Sequence, residues 1–421
     1  MVFTVPDGTF EPFNFSPDEE QAIVDHADRI IADTLRVNED FIASKRTLPA
    51  DEWKLFKTRE KVQLFRQRKV KDGHVQRPRL MSGTFDESYQ EKDYSDSSCE
   101  SATNPLAPSR SQHSNSTNSS GPRHSDSVFG DGIVDDAKPD HVPFVIAHGY
   151  IPGVIEDVAF GGLGESEHTW KVRNSYVRKS EFDGYKILKT IHLPTRDDPF
   201  RYLGIRWLTR PFNAFIKRRD FLFIEATGMA LDSNGERIVY NLVHSIEFKQ
   251  IPELRSLDVV RANISNCYIS RQLDPSTIEV YCRSYSDLGG DLIDPVLASM
   301  HSDIVLAVAN IVECSYVKKL TWQMQRSRRY SGHIDINRSS HTTCEMCSKS
   351  LSRLGMFASG YACQICRKML CSKCAVEKKI TVDVSNEVTQ KDFWFCLLCV
   401  IDAKKLSPWD IAISILPPGT Q

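Results

Sequence analysis

Apolar residues first recur at helical spacing just after Ser16-Pro17-Asp18-Glu19. That sequence is typical of a helix start, with a capping serine, a first-turn proline and a glutamate three residues on. The apolar residues that follow share one helical face: Val24, Ala27, Ile31 and Leu35. From Trp53 to Lys69 the period changes to two around a polar turn at Thr58 to Glu60, which predicts a β-hairpin.

A series of strands is predicted further along the chain, after a short helix at Pro152 to Phe160. The strand-like segments are Trp170 to Val177, Tyr185 to Leu193, Asp220 to Leu231, Arg237 to Phe248, Val259 to Leu273 and Thr277 to Ser284. Short turns between them, including the Asn-Gly pair ending at Gly235, favour an antiparallel sheet. Asp294-Pro295 then opens a long amphipathic helix. The order predicts an α+β fold in which a curved sheet is closed by a helix.

Two stretches interrupt this pattern. Residues 72–140 are polar and include 12 serines between Ser95 and Ser127, so we expect a disordered insertion. A shorter basic and polar linker is predicted at 326–341. These boundaries define a first domain at 16–325 and a cysteine-rich domain at 342–404.

Composition narrows the class of protein. The 421 residues are 41% hydrophobic and 26% charged, with a formal net charge of −2, which does not favour nucleic-acid binding. The sequence shows no secretory signal and no apolar stretch long enough to cross a bilayer, which predicts a cytoplasmic protein. It also lacks the common hydrolase, phosphate-loop and zinc-protease motifs, so we do not expect an enzyme.

The first domain resembles the START family of lipid-binding domains. The resemblance covers about residues 16–325 apart from the insertion, and it depends on an ordered series of segments. These are the hairpin EWKLFKTREKVQLFRQR, the strand RRDFLFIEATG from Arg218 to Gly228, and the closing strands with the turn Asp287, Gly289 and Gly290. The resemblance implies a helix-grip fold with a cavity for one sterol, phospholipid or sphingolipid. Arg219 and Asp220 are either a buried ionic handle for a lipid head group or a surface salt bridge. The alternative for the whole domain is a filled core without ligand.

Eight cysteines follow the spacing C-x2-C-x15-C-x2-C-x4-C-x2-C-x21-C-x2-C. Each C-x2-C pair directs two thiolates to one point, and two pairs complete a tetrahedral zinc shell, so four pairs predict two zinc ions. The four-residue gap between Cys366 and Cys371 favours interleaved over consecutive pairing.

The spacing resembles FYVE domains, and this resemblance implies which pairs share an ion. The first zinc would take Cys344, Cys347, Cys371 and Cys374. The second would take Cys363, Cys366, Cys396 and Cys399. RING fingers share the cross-brace but place a histidine within the pattern. The FYVE elements that bind phosphatidylinositol 3-phosphate (W-x-x-D, R-(R/K)-H-H-C-R and R-V-C) are missing here, so we expect no strong preference for that lipid.

Membrane contact is predicted from local charge. A basic cluster without acidic residues precedes the cysteines and would face an anionic membrane: Lys318, Lys319, Arg326, Arg328 and Arg329. The alternative is a solvated helix end. Leu354, Met356 and Phe357 lie where FYVE domains carry a membrane-inserting loop, although packing within the small domain is the simpler interpretation.

The sequence therefore predicts a cytoplasmic protein that binds or transfers a lipid. Its two-zinc module would recruit it to endosomal or other intracellular membranes, or to protein partners. The alternative is a zinc-finger interaction or scaffold protein, including a RING-like ubiquitin ligase, with a START-like domain that binds no ligand.

Overall fold

The computed structural model describes residues 5–6, 9–10, 14–68, 132–178, 182–212, 216–290, 294–331, 342–351, 360–385 and 388–417. The chain forms two compact units. The first contains residues 1–151, 181–192 and 203–306. The second contains residues 152–180, 193–202 and 307–421.

The helices of the described residues are α1 (Pro17–Ala43), α2 (Ile133–Ala137), α3 (Ile155–Gly162), α4 (Glu167–Val177), α5 (Asp294–Val305), α6 (Ile311–Ser331), α7 (Leu397–Lys405) and α8 (Pro408–Ile415). The longer strands are β1 (Trp53–Arg59), β2 (Val62–Gln67), β3 (Val145–Pro152), β4 (Gly184–His192), β5 (Tyr202–Arg210), β6 (Arg218–Leu231), β7 (Arg237–Ser245), β8 (Val259–Asp274) and β9 (Thr277–Asp287). Four further strands follow in the cysteine-rich region: β10 (Tyr361–Ala362), β11 (Met369–Leu370), β12 (Ala375–Asp383) and β13 (Thr389–Cys396).

The first unit is built on a nine-stranded sheet with the order β1-β2-β3-β9-β8-β7-β6-β5-β4. The predicted fold class is confirmed: a long antiparallel sheet is combined with helices, and a cross-braced cysteine region follows. The predicted helix starting at Ser16 is also present, with the reciprocal capping box formed by Ser16 and Glu19.

Helix α1 covers one face of this sheet. Its buried side chains join alternate residues of β6, β7, β8 and β9 in one large hydrophobic core. Buried ionic contacts fix the helix on that face. Arg283 of β9, whose side chain is 2% exposed, contacts Asp33 of α1 at 3.2 Å and Asp135 of α2 at 2.5 Å. Arg271 donates to Asn38 of α1 at 2.7 Å.

Helix α5 is attached to the opposite face of the sheet by polar contacts. The Tyr268 hydroxyl donates to the Val305 carbonyl at 3.1 Å. The Nε2 atom of His301 lies 2.6 Å from the Ser284 hydroxyl. Because strand residues alternate between faces, the side chains that meet α5 are those that do not contribute to the core under α1.

Two segments of the START resemblance contact each other. Arg219, at the start of β6, donates from Nε to the Leu288 carbonyl at 3.0 Å and from Nη2 to the Gly289 carbonyl at 2.9 Å. Gly289 and Gly290 have φ of 61° and 70°, a conformation that favours glycine. Asp220 instead accepts from Trp207 and Arg261, each at 3.0 Å. Arg219 and Asp220 are therefore both buried, and they bind different groups. Arg219 binds backbone carbonyls of the glycine turn, and Asp220 binds the side chains of Trp207 and Arg261.

One predicted strand was wrong, and two strands of the sheet were not predicted. The segment Trp170–Val177 belongs to α4 and not to a strand, because its buried residues Trp170, Arg173, Asn174 and Val177 follow helical spacing and two of them are polar. Strands β3 and β5 were not predicted. In β5, the run of apolar residues is interrupted by the buried Arg206.

The C-terminal boundary of the predicted disordered insertion, 72–140, is placed too far along the chain. Residues 69–131 lie outside the described residues, but 132–140 are ordered and include α2. Val134 is 2% exposed and joins the main core, while Asp135 contacts Arg283. One apolar anchor and one carboxylate therefore bind this short helix to the sheet, although its surrounding sequence is polar.

The second unit begins with two helices that pack on α6. At Gly161 of α3, a Cβ atom would lie 2.1 Å from the Ile311 carbonyl oxygen, so only glycine permits this close crossing. Asn310 donates to the Val177 carbonyl at the end of α4 at 3.0 Å. Contrary to the expectation from sequence, the helical segment Pro295–Ser327 is long and apolar enough, by length and composition alone, to cross a membrane, but 56% of its most apolar window is buried in the fold.

Replacing Arg283 with methionine should strongly destabilise the first unit. The change removes the buried cation that Asp33 and Asp135 share and leaves Asp33 with only the exposed Arg36, which we expect to cost about 3 kcal/mol of unfolding free energy. The measurement is urea unfolding followed by tryptophan fluorescence. The matched control is Arg255→Met, because Arg255 is 83% exposed beside Glu253 and its loss should leave stability nearly unchanged. Equal losses in the two variants would contradict this account of how α1 and α2 are held.

Candidate functional site

Two of the four cysteine pairs lie in knuckle turns with the same backbone geometry. In the first, the Cys344 amide donates to the Lys349 carbonyl at 2.8 Å, and Ser348 has a φ of 59°. In the second, the Cys363 amide donates to the Lys368 carbonyl at 2.9 Å, and Arg367 has a φ of 66°. Each turn directs its two sulfur atoms inward.

The other two pairs begin helical turns. The amides of Cys374 and Ala375 both donate to the Cys371 carbonyl at 3.0 Å. Cys396 is the N-cap of α7, where its sulfur accepts from the Cys399 amide at 3.3 Å. A knuckle and a helical turn therefore contribute two sulfur atoms each to a common point.

The eight cysteines form two groups of four, and this grouping is the interleaved one implied by the FYVE resemblance. Site 1 consists of Cys344, Cys347, Cys371 and Cys374, and site 2 consists of Cys363, Cys366, Cys396 and Cys399. Within each group the sulfur atoms all lie within 4.8 Å of one another.

The sulfur spacing fits a tetrahedral metal ion. The Cys347 and Cys371 sulfur atoms are 3.7 Å apart in site 1, and those of Cys366 and Cys396 are 3.8 Å apart in site 2. Four thiolates at about 2.3 Å from a zinc ion would be separated by about 3.8 Å. In site 2, the contact between Cys363 and Cys399 lowers the pKa of Cys363 and raises the pKa of Cys399, so it favours a thiolate at one sulfur of this pair. Both groups have the donor set and the size for zinc.

Site 2 shares a hydrophobic core with α6. Val317, Leu320 and Met324 of this helix pack in one cluster with the ligand cysteines and the finger's own apolar residues. The finger contributes these members to the cluster: Leu370, Ile380, Phe395, Val400 and Ala403. A module of this size buries little apolar surface by itself, and the helix supplies the rest.

Polar contacts connect the β12–β13 hairpin with α4. The Tyr176 hydroxyl accepts from the Thr381 amide at 2.6 Å and lies 2.9 Å from the Thr381 hydroxyl. Lys171 donates to the Val384 carbonyl at 3.2 Å. The finger is therefore part of the second unit's fold and does not form a separate module.

The basic cluster predicted to face a membrane is partly buried. Lys318 donates to the carbonyls of Phe160 and Leu163, at 2.7 and 2.8 Å, and so caps the end of α3. Burial lowers the pKa of Lys318. The Lys319 side chain is 1% exposed and contacts Asp157 at 2.6 Å. These two lysines hold α3 on α6, and the prediction that they face a membrane was wrong.

The remaining predicted membrane residues have varied positions. Arg326 is exposed, and its guanidinium lies 5.2 Å from the centre of the Trp322 ring. The side chains of Arg328 and Arg329 lie outside the described residues, as do Leu354, Met356 and Phe357.

A cleft opens between α5 and its face of the sheet in the first unit. Its enclosed volume is about 60 Å³, below the range of small-molecule sites, so the cleft as it stands admits only the end of a ligand. The apolar lining includes Phe56, Leu64, Val145 and Leu297. The polar lining includes Ser286, His301 and Ser302.

A chain of buried polar groups lies beside this cleft. Ser284 donates to the Asn266 side-chain oxygen and is bonded to His301 on its other side. Burial and then the positive charge of Arg66 lower the pKa of His301 to about 3, so this imidazole is neutral at pH 7. The Asn266 Nδ2 and Ser286 Oγ atoms are buried and have no protein hydrogen-bond partner. Sequence reasoning missed this chain because no motif marks it.

Chemical analysis of two quadruple variants should establish the cysteine pairing. The variant C344S/C347S/C371S/C374S keeps all four ligands of site 2 and should retain one metal ion per chain. The matched variant C344S/C347S/C363S/C366S breaks both sites and should retain none. Native mass spectrometry gives both counts. Consecutive pairing would reverse the two results.

Removing the metal should loosen α4 as well as the finger. Metal binding supplies the folding energy of small cysteine-rich modules, so chelation should unfold the partner of Tyr176 and Lys171. Hydrogen exchange should accelerate in Glu167–Val177, while exchange in Arg237–Ser245 of the first unit serves as the internal control. Unchanged protection of α4 after metal removal would show that the finger does not support this helix.

Comparisons with known proteins give a limited result. A scan of protein-family models finds no match, and a search of curated proteins finds no significant relative. The chain is similar to solved structures that include human StAR-related lipid transfer protein 5, with 12% identity, a TM-score of 0.38 and coverage of 70% of this chain and 97% of that one. It is also similar to human STARD10 (12% identity, TM-score 0.35, 69% and 84% coverage). A third is the lipid transfer and protein localization domain of human StarD13 (11%, 0.34, 66% and 94%). Because these TM-scores are below 0.5, the fold assignment depends on the chain's own strand order and helices.

Proposed function

We propose that the first unit binds one lipid molecule in the cleft under α5 and that the two-zinc unit recruits the protein to a membrane surface. The protein would then be a cytoplasmic lipid-binding or lipid-transfer protein, peripheral on intracellular membranes. We assign it no catalytic step. This proposal combines the START resemblance of the sequence with the polarity of one sheet face.

The observation that carries the proposal is the unpartnered Ser286 hydroxyl in the lining of the cleft. A buried polar group without a hydrogen bond costs about 1–3 kcal/mol, so its presence needs a compensating partner. The Ser286 hydroxyl can donate or accept, and the apolar residues Leu64 and Leu297 lie in the same lining. The polar end of an otherwise apolar ligand would satisfy this hydroxyl.

A buried ion pair adds polarity elsewhere on the same sheet face. The Arg206 guanidinium of β5 lies 2.9 Å from the Glu225 carboxylate of β6, and the two side chains are 0% and 2% exposed. Arg206 also donates to the Tyr185 hydroxyl at 2.5 Å. Buried ion pairs are present on both faces of the sheet, so this pair adds polar groups that a ligand could meet without by itself distinguishing the α5 face from the face under α1.

The second part of the proposal concerns the metal. Eight thiolates in two tetrahedral groups favour zinc over hard cations, and zinc would serve a structural role because each group supplies all four ligands. Zinc would thus hold the finger and helices α3, α4 and α6 in one fold. Recruitment would then be a property of the surface that this fold displays.

The lipid proposal is tested by filling the cleft. Protein purified from cells should carry a lipid that native mass spectrometry detects as added mass. Ser286→Trp should lower the affinity for that lipid about tenfold or more, which corresponds to about 1.4 kcal/mol, because the indole occupies the polar end of the cleft. Ser276→Trp, in an exposed turn, is the matched control and should retain the lipid. Equal lipid content in wild type and Ser286→Trp would contradict the assigned site.

A further inference from the structure

The outward face of α7 combines large exposed apolar side chains with lysines. Leu397 and Leu398 are 54% and 51% exposed, and Ile401 is 37% exposed. At 100° per residue, these three side chains and those of Lys404 and Lys405 lie on one side of the helix. The opposite side consists of the buried residues Cys399, Val400 and Ala403.

The packing of the finger does not account for this apolar surface. The hydrophobic cluster around site 2 is completed by Val400 and Ala403, while the two leucines remain half in water. Adjacent leucines at this exposure are costly, since each loses part of the roughly 1.5–3 kcal/mol that full burial provides. Exposed apolar groups clustered in this way mark a surface that another body covers.

The charge around the patch indicates what that body is. The α7 face carries Lys404 and Lys405 in its last turn. The knuckle that contains Cys366 lies close to the start of α7, because the sulfur atoms of Cys366 and Cys396 are 3.8 Å apart. This knuckle adds Arg367 and the exposed Lys368. Asp402 is the only acidic residue of α7. Apolar residues flanked by cations are complementary to a partner that is apolar inside and anionic at its surface.

We propose that this surface, defined by Leu397, Leu398 and Ile401 with the flanking Arg367, Lys368, Lys404 and Lys405, docks the protein on an anionic lipid bilayer. The leucines would enter the head-group region, and each nearby cation would contribute electrostatic attraction. This inference rests on the proposed membrane role and assigns a surface to it. It replaces the cluster at Lys318 and Lys319, which is buried.

Vesicle flotation of the full chain tests the inference. Wild type should bind vesicles of phosphatidylcholine with phosphatidylserine, and bind vesicles of phosphatidylcholine alone much less. Leu397→Ser with Leu398→Ser should reduce the partition coefficient about tenfold to a hundredfold, because two half-exposed leucines together equal about one full burial. Lys404→Gln with Lys405→Gln should reduce binding at low salt and make no difference at 1 M, where the screening length is roughly 3 Å.

Two controls keep the result specific. Leu231→Ser with Leu273→Ser removes similar exposed apolar area from the ends of β6 and β8 in the first unit, where the leucines are 43% and 51% exposed, and should leave binding unchanged. Each variant must keep the metal content and bound-lipid mass of wild type. A third variant, with Leu354, Met356 and Phe357 changed to serine, tests the loop indicated by the FYVE resemblance.

The outcomes separate this inference from the proposed function. Loss of flotation only in the α7 variants supports it. Unchanged binding in those variants, or loss only in the Leu354/Met356/Phe357 variant, overturns it. Wild type that carries lipid but binds no vesicle overturns the docking surface and leaves the cleft assignment intact. A patch that instead binds a protein partner, with vesicle binding absent, also overturns it.

Discussion

The second unit depends on the inability of a small cysteine-rich module to close a core by itself. The knuckles meet at two groups of four cysteines that could each hold a metal ion, but the hairpin and α7 still present apolar side chains on one side. Helix α6 supplies Val317, Leu320 and Met324 to cover them. The same helix uses Lys318 and Lys319 to hold α3, so its two sides join the thiolate sites to the rest of the unit.

The first unit shows a different balance between apolar and polar burial. Under α1, ion pairs surround a large apolar core, and nearly every charged group there has a close partner. Under α5, hydroxyl, amide and imidazole groups line the face, and two polar atoms have no protein partner. The core under α1 also contains an unpartnered polar atom, the Tyr281 hydroxyl, so what distinguishes the α5 face is the cleft that Ser286 lines. The difference between the faces separates the part of the sheet that holds the fold together from the part proposed to bind a ligand.

Sequence reasoning found the elements whose signals are local. The capping box at Ser16, the Asn-Gly turn and the cysteine pairs each depend on neighbouring residues, and all are present. It failed for α4, whose buried face includes Arg173 and Asn174, because a scan for apolar residues does not detect buried polar ones. It failed for Lys318 and Lys319 for the same reason, since only the fold provides the carbonyls and the carboxylate that make lysine burial favourable. The chain from Asn266 to His301 required the pairing of β8 with β9.

The pairing of β2 with β3 has a consequence for how this chain can vary in length. Arg66 is aligned with Val145, and the Gln67 amide donates to the Phe144 carbonyl at 2.9 Å, so the two strands meet directly although 77 residues separate Gln67 from Phe144. Among the described residues, this register is held by the pairing of the two strands, and Val134 and Asp135 bind α2 to the sheet. We therefore expect gains and losses of sequence between Arg68 and Gly132 to accumulate readily among homologues. A fluorescent protein or an affinity tag inserted in that interval would label the chain and leave its N-terminus and C-terminus unchanged.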